Sequence, residues 1–166
     1  ECEMIFVLND KTRAEIYTRS LHDALPIFDT LNQLLKHRGA DSEGKYLKGE
    51  VALAMRRLSI IDLEGGDQPI FSSDGRYVIV FNGEIYNYPE IKANLQRKGY
   101  RLNTSSDTEV LLYAFIDQGP ECLSSINGMF AFAIWDEDKR ELFVARDRLG
   151  IRSEERRVGK ECRARW

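Results

Sequence analysis

Phe81-Asn82-Gly83-Glu84-Ile85-Tyr86-Asn87-Tyr88 closes an apolar run, Tyr77-Val78-Ile79-Val80-Phe81. The run reads as a buried strand, being short, β-branched and aromatic. Asn-Gly behind such a run is by itself a turn signal, because both residues tolerate positive φ. The octet carries more than a turn needs. Glu84 follows a glycine that lets a ligand come close to the backbone. The Asn82 amide and the Gly83 N–H can converge on one developing negative charge, as stabilising an oxyanion requires.

Outward from this stretch the chain alternates strand and helix signals. Met4 to Leu8 reads as a short strand. Phe28, Leu31, Leu34 and Leu35 stand at helical spacing, so residues 28–36 are expected to form an amphipathic helix, followed by a loop punctuated by Gly39 and Gly44. Val51 to Met55 reads as a strand running on into Arg56-Arg57-Leu58-Ser59-Ile60-Ile61. Asp62 to Pro69 reads as a loop, and Ser72 to Gly75 as a hairpin turn into Tyr77–Phe81. Pro89 opens a helix that Gly99 closes. Ser106-x-x-Glu109 has the form of a capping box for a further helix, which puts Asp107 in its first turn, where an acid suits the helix dipole. Gly128–Trp135 and Glu141–Arg146 flank Asp136-Glu137-Asp138-Lys139-Arg140 as a hairpin. On pattern alone this is an α+β chain.

Several further segments stand in a fixed order with the octet: His37-Arg38-Gly39-Ala40-Asp41, Arg57-Leu58-Ser59-Ile60-Ile61-Asp62, Ser106-Asp107-Thr108-Glu109, Gly128-Met129-Phe130-Ala131-Phe132 and Arg146-Asp147-Arg148-Leu149-Gly150-Ile151. Together they resemble the glutaminase domain, a class II glutamine amidotransferase domain, of glutamine-hydrolysing asparagine synthetases. Sugar-phosphate aminotransferases would show His-Asn-Gly and Arg-Trp where this chain has Phe81-Asn82-Gly83 and Arg57-Leu58. The resemblance implies the four-layer αββα sandwich of the N-terminal-nucleophile hydrolases, truncated at its C-terminal end, over residues 1–151. It implies hydrolysis of the glutamine side-chain amide. In the family a cysteine at the N-terminus is the nucleophile and its own α-amine the base, and Cys2 stands where that cysteine belongs. Asn82 and Gly83 take the oxyanion role by the same resemblance. Arg57, Leu58, Ile60, Ile61, Glu84 and Asp107 take the substrate-binding roles, with Arg57 on the α-carboxylate and Asp107 on the ammonium.

The resemblance implies no metal or cofactor for this domain. ATP and Mg²⁺ belong to a separate synthetase domain that adenylates aspartate, and no Ser-Gly-Gly-x-Asp-Ser type loop occurs here. It implies glutamine as the partner and a homodimer for full-length members. A non-catalytic truncated fragment and a stand-alone amidotransferase-like binding module are the alternative readings. Where the family has an initiator methionine this chain has Glu1. The family's Lys-Pro-Leu-Tyr-Tyr type strand is missing after Ile151.

Two segments fall outside the resemblance. Residues 15–27 match nothing in the family, and Ser20 to Ile27 resembles a translated short-read sequencing adapter. Arg152 to Cys162 resembles a translation of the same oligonucleotide's other strand. Both are therefore expected to be non-native and stand outside the fold reasoning. Residues 152–166, rich in arginine with only Val158 and Trp166 as large apolar residues, offer too little to bury to offset the entropy of ordering.

Composition sets the remaining bounds. The chain has 166 residues, 43% hydrophobic and 31% charged, as expected of a globular domain. A formal net charge of −3 argues against nucleic acid or an anionic membrane as partner. No apolar run approaches the roughly 20 residues of a membrane span, and no signal peptide is visible. Cys2, Cys122 and Cys162 make neither a metal-type pair nor an even disulfide set, which suits a reducing cytoplasm.

Overall fold

The computed structural model of the chain describes residues 4–9, 21–37, 39, 42–49, 51–57 and 67–150, with backbone alone at 4–9, 21–25, 27 and 57. In chain order the elements are β1 (Met4–Asn9), α1 (Leu21–Leu34), β2 (Ser42–Lys48), β3 (Val51–Arg57), β4 (Ile70–Phe71), β5 (Tyr77–Ile85), α2 (Tyr88–Arg97), α3 (Asp107–Gln118), a short 3-10 segment (Gly119–Ser124), β6 (Gly128–Asp136) and β7 (Glu141–Arg146). The strands form two antiparallel sheets, one ordered β1-β3-β2 and the other β4-β5-β6-β7.

Strand alternation explains the layering. In β3, Val51, Leu53 and Met55 pack against Val78 and Val80 of β5 and Ala133 and Trp135 of β6, so these sets form the seam between the sheets. The intervening Ala52 and Ala54 pack on Phe28 of α1, where small side chains admit a helix. On the far face of the second sheet, Ile79, Phe81 and Ile85 of β5 and Phe130, Phe132 and Ile134 of β6 pack against Leu111 and Leu112 of α3. Helix, sheet, sheet and helix thus stack as a four-layer αββα sandwich.

The sheets are also aligned end to end. Lys48 at the end of β2 pairs with Glu137 beyond β6 at 3.3 Å, and Tyr46 donates its hydroxyl to the same carboxylate. Glu137 lies at the Tyr77 end of β5, since Tyr77 is opposite Asp136. The start of β1 and the end of β3, where Met4 stands opposite Arg56, therefore lie toward the Ile85 end of β5.

Several expectations are corrected. Asn82-Gly83 is no turn: β5 runs through to Ile85, with Asn82 opposite Ala131 and Gly83 opposite Phe130. A long partner strand overrides the local turn preference. Gly44 is not a loop glycine. It lies inside β2 opposite Met55, and a Cβ there would come within 1.7 Å of the Gln68 carbonyl oxygen. Helix α1 begins at Leu21 rather than residue 28, with Pro26 inside it, so the backbone is helical over part of the segment set aside as non-native. Phe28 and Asn32 of α1 are buried, as is Leu35 just after it, whereas Leu34 is 64% exposed.

The capping box is also altered. The Ser106 hydroxyl accepts from the Thr108 N–H at 3.2 Å. Glu109, however, accepts from the N–H groups of Asn103 and Thr104 at 2.9 and 2.6 Å and from the Thr104 hydroxyl at 2.7 Å. It therefore fastens the incoming loop rather than the cap. The β6–β7 hairpin forms as expected.

That hairpin carries a testable ion pair. Asp136 accepts from Arg76 Nε and Nη2 at 3.0 and 2.8 Å and from the N–H groups of Asp138 and Lys139. The Arg76 guanidinium holds the Asp136 carboxyl down at about 2, against 3.8 for an unperturbed group. A depressed folded-state value contributes stability above pH 3.8 and loses it as pH falls through about 2. Asp136→Asn should therefore lower unfolding free energy by about 1 kcal/mol at neutral pH. The two proteins should converge in acid denaturation near pH 2. A difference that persists unchanged there would assign the effect to packing.

Candidate functional site

The open edge of β5 holds the site. Even-numbered residues of β5 bond toward β6, as the Tyr86 N–H bonding the Asn127 carbonyl at 2.8 Å shows at its end. Odd-numbered residues therefore direct their backbone groups to the β4 side. Tyr77 exchanges bonds with Ser72, whose N–H reaches the Tyr77 carbonyl at 2.9 Å and whose hydroxyl accepts from the Tyr77 N–H. Ile79 stands opposite Ile70 of β4. Beyond Ile70 the edge strand ends, and Phe81 is met by a side chain instead. Its N–H donates to Gln68 Oε1 at 2.6 Å and its carbonyl accepts from Gln68 Nε2 at 3.0 Å. At the far end the Ile85 N–H donates to Asp107 Oδ2 at 3.1 Å. Between Phe81 and Ile85 lies Gly83, and among the described residues its N–H has no partner.

Glycine is required at this gap. Gly83 has φ of +151°, and a Cβ would come within 2.1 Å of the Met129 carbonyl oxygen. Asn82 is buried, and by alternation it shares the face of β5 that carries Val78 and Val80. The strand thus sets an amide side chain and an open backbone N–H side by side.

The acidic pair lies at the same end. Asp107 is the first residue of α3, and that helix packs on the outer face of the sheet. Burial raises the Asp107 carboxyl above its ordinary range and the Glu84 carboxylate raises it further, while the N–H groups of Ile85 and Thr108 act in the opposite direction. A half-buried acid next to an exposed acid is a place where a cation relieves repulsion. Asp107 is therefore a helix-start acid that also borders the candidate site.

Asn82, Gly83, Glu84 and Asp107 are thus brought together. Arg57 ends β3 opposite Ser42, and its backbone alone is described. Cys2, Leu58, Ile60 and Ile61 lie outside the described residues. Arg56 is structural: it is buried, pairs with Glu43 and donates from Nε to the Asn32 carbonyl at 3.1 Å. Cys122 is buried, and burial pushes its thiol up to about 12, which makes it inert as a nucleophile. His37 is likewise structural, donating from Nδ1 to the Leu34 carbonyl at 2.8 Å.

Sequence reading missed three supports of the site. Gln68 falls within the stretch whose composition reads as a loop. Asn87 bridges the chain after β5 to the start of β6, bonding the Ser125 carbonyl and the Asn127 N–H, each at 2.9 Å. Asp147 accepts from the N–H groups of Phe130 and Leu149 at 3.1 and 2.9 Å. The only available signal is a polar side chain near a strand end, which describes many loop residues equally well. Among the described residues no helix is long and apolar enough to cross a membrane, and no three His, Cys, Asp or Glu side chains are grouped to hold a metal.

Comparison with known proteins shows the family. Residues 14–153 match the family described as "Glutamine amidotransferase domain". The chain is 47% identical over 130 residues to asparagine synthetase [glutamine-hydrolyzing] 1 of Bacillus subtilis, covering 78% of this chain and 21% of that protein. It is 38% identical over 151 residues to asparagine synthetase B [glutamine-hydrolyzing] of Escherichia coli, covering 90% of this chain and 26% of that one. Among solved structures, glutamine phosphoribosylpyrophosphate amidotransferase of B. subtilis, complexed with ADP and GMP, matches with TM-score 0.50 and 30% identity over 61% of this chain and 24% of that chain. The chain therefore spans about a quarter or less of the length of these relatives. Aligned sheets, a glycine-borne N–H on an open strand edge and the matched sequence all agree: the chain belongs to the glutamine amidotransferase domain family.

Proposed function

We infer that this domain hydrolyses the side-chain amide of glutamine to glutamate and ammonia. The observation that carries the reading is the Gly83 N–H, the gap in an otherwise occupied strand edge, set beside Asn82, Glu84 and Asp107. An amide carbonyl oxygen entering that gap meets donors positioned before reaction, which is where electrostatic stabilisation is most effective. Glu84 and Asp107 suit the substrate ammonium. Because the Asp107 carboxyl is raised, its anionic form and its hold on a cation are lost at a higher pH than for an ordinary aspartate.

The step is an acyl transfer. The Cys2 sulfur bonds to the amide carbon while the thiol proton passes to the α-amine that Cys2 carries once Glu1 is removed. The resulting oxyanion rests on the Asn82 side chain and the Gly83 N–H. As the carbon–nitrogen bond breaks, the amine returns the proton to the departing ammonia. Water then cleaves the thioester, releasing glutamate and restoring the thiol. An α-amine suits the task because its unperturbed pKa, about 7.7–8.0, lies near neutral pH. This chemistry asks for no metal or cofactor. Met4, two residues beyond Cys2, begins β1 toward the Ile85 end of β5, which supports the assignment. The similarity to asparagine synthetases makes asparagine synthesis the proposed destination of the ammonia, with ATP, Mg²⁺ and aspartate belonging to a synthetase domain.

Ammonia release from glutamine by the purified domain beginning at Cys2 tests the reading. Glutamine binding without release would favour a binding module. Arg57→Lys supplies a finer test, because a guanidinium fork grips a carboxylate through two bonds and an ammonium does not. KM for glutamine should rise about tenfold, for a loss of about 1.4 kcal/mol, with kcat nearly kept. An unchanged KM with a collapsed kcat would remove Arg57 as the carboxylate clamp.

A further inference from the structure

Gln68 does in side-chain form what the next residue of β4 would do in backbone form. The β4–β5 register sets Ile70 opposite Ile79, so two residues further back Gln68 faces Phe81. There its amide accepts from the Phe81 N–H at 2.6 Å and donates to the Phe81 carbonyl at 3.0 Å, matching a ladder pair with one primary amide. The same Nε2 lies 3.4 Å from the Thr108 hydroxyl, next to Asp107 at the start of α3. The Gln68 backbone is in turn pressed on β2. A Cβ on Gly44 would come within 1.7 Å of the Gln68 carbonyl oxygen and 2.8 Å of Pro69 Cδ.

One residue thus touches the first sheet through its backbone, β5 through its amide, and α3 through Thr108. It binds the residue immediately before Asn82-Gly83 and the residue immediately after Asp107. We propose that Gln68 is a positioning residue for amide hydrolysis: it ends the edge strand while keeping Phe81 in the ladder. This leaves the next odd-numbered N–H, that of Gly83, open to substrate but held in line. A true β4 residue at this point would carry the edge strand on toward Gly83 and close the gap. No bond to Phe81 would leave the two buried backbone groups of a core residue unpaired and the strand free to shift. Misplacement of a reacting centre by about 1 Å costs roughly 10²-fold in rate.

The proposal rests on the glutaminase reading, and the test separates the two. Gln68→Ala and Gln68→Met, the second keeping length without hydrogen bonds, are compared with the parent in the full chain and in its form lacking Glu1. Amide hydrogen exchange is read at Phe81 and at Ile79, and kcat and KM are read for glutamine. The expected result is exchange at Phe81 faster by about tenfold or more with Ile79 little changed, and kcat lower by about 10–100-fold with KM within about threefold. Gly44→Ala, which must displace the Gln68 backbone, should reproduce the loss in kcat. Unchanged exchange at Phe81 would overturn the anchor whether or not the parent hydrolyses glutamine. An active parent whose variants keep kcat would overturn the positioning role while leaving the glutaminase reading intact. Inactivity of the parent lacking Glu1, with faster Phe81 exchange in the variants, would remove the glutaminase reading and support the anchor.

Discussion

The chain beginning at Cys2 should release ammonia from glutamine faster than the chain carrying Glu1 by about 10²–10⁴-fold, the usual contribution of general-base catalysis. The proton on the Cys2 thiol must go to a base within reach, and the proposed base is the nitrogen of the same residue. With Glu1 attached, that nitrogen is a peptide amide, whose lone pair is delocalised and accepts no proton near neutral pH. The sulfur remains but as a thiol, a poor nucleophile compared with thiolate. The comparison changes one bond and leaves every described residue in place. Equal rates would show that the α-amine is not the base and would remove Cys2 as a terminal nucleophile. Circular dichroism of both forms separates a folding defect from a chemical one.

Asn82→Ala should lower kcat by about 10²–10³-fold, or about 2.7–4 kcal/mol of transition-state stabilisation, with a much smaller effect on KM. Asn82 sits in mid-strand opposite Ala131, so the ladder survives the substitution. The side chain it loses is buried beside the open N–H of Gly83. That pairing distinguishes a catalytic loss from a stability loss. An oxyanion donor acts on charge that develops only during reaction, so ground-state binding persists. A near-normal kcat would return Asn82 to a packing role. Loss of both kcat and thermal stability in proportion would say the same.

Sequence alone was sufficient wherever the signal was local. Short continuous apolar runs mark Met4–Leu8, Val51–Met55 and Tyr77–Phe81 as strands, because a strand covered on both faces is apolar at every position. Pro89 and Ser106 marked helix starts because capping and N1 preferences act within one turn. The ordered motifs carry the family, and they include Asn82, Gly83, Glu84 and Asp107, which the fold brings together. Where the local signal was ambiguous, tertiary pairing decided. Asn-Gly has the chemistry of a turn, yet nine residues of β5 paired along β6 keep it extended. Gly44 looks like loop punctuation until Gln68 is found pressed against it from another part of the chain.

The open edge of β5 was legible in no single residue. It exists because β4 is only two residues long, because a glutamine amide continues its ladder by one more step, and because an aspartate from α3 takes the step after next. The glutamine and the aspartate lie 13 and 22 residues from the groups they bind. The sequence therefore determined which groups were available for the chemistry. Only the fold, by satisfying each of their neighbours, decided that the Gly83 N–H among them would stay open: buried backbone groups must be paired, and the one left unpaired at an accessible edge is where a ligand can bind.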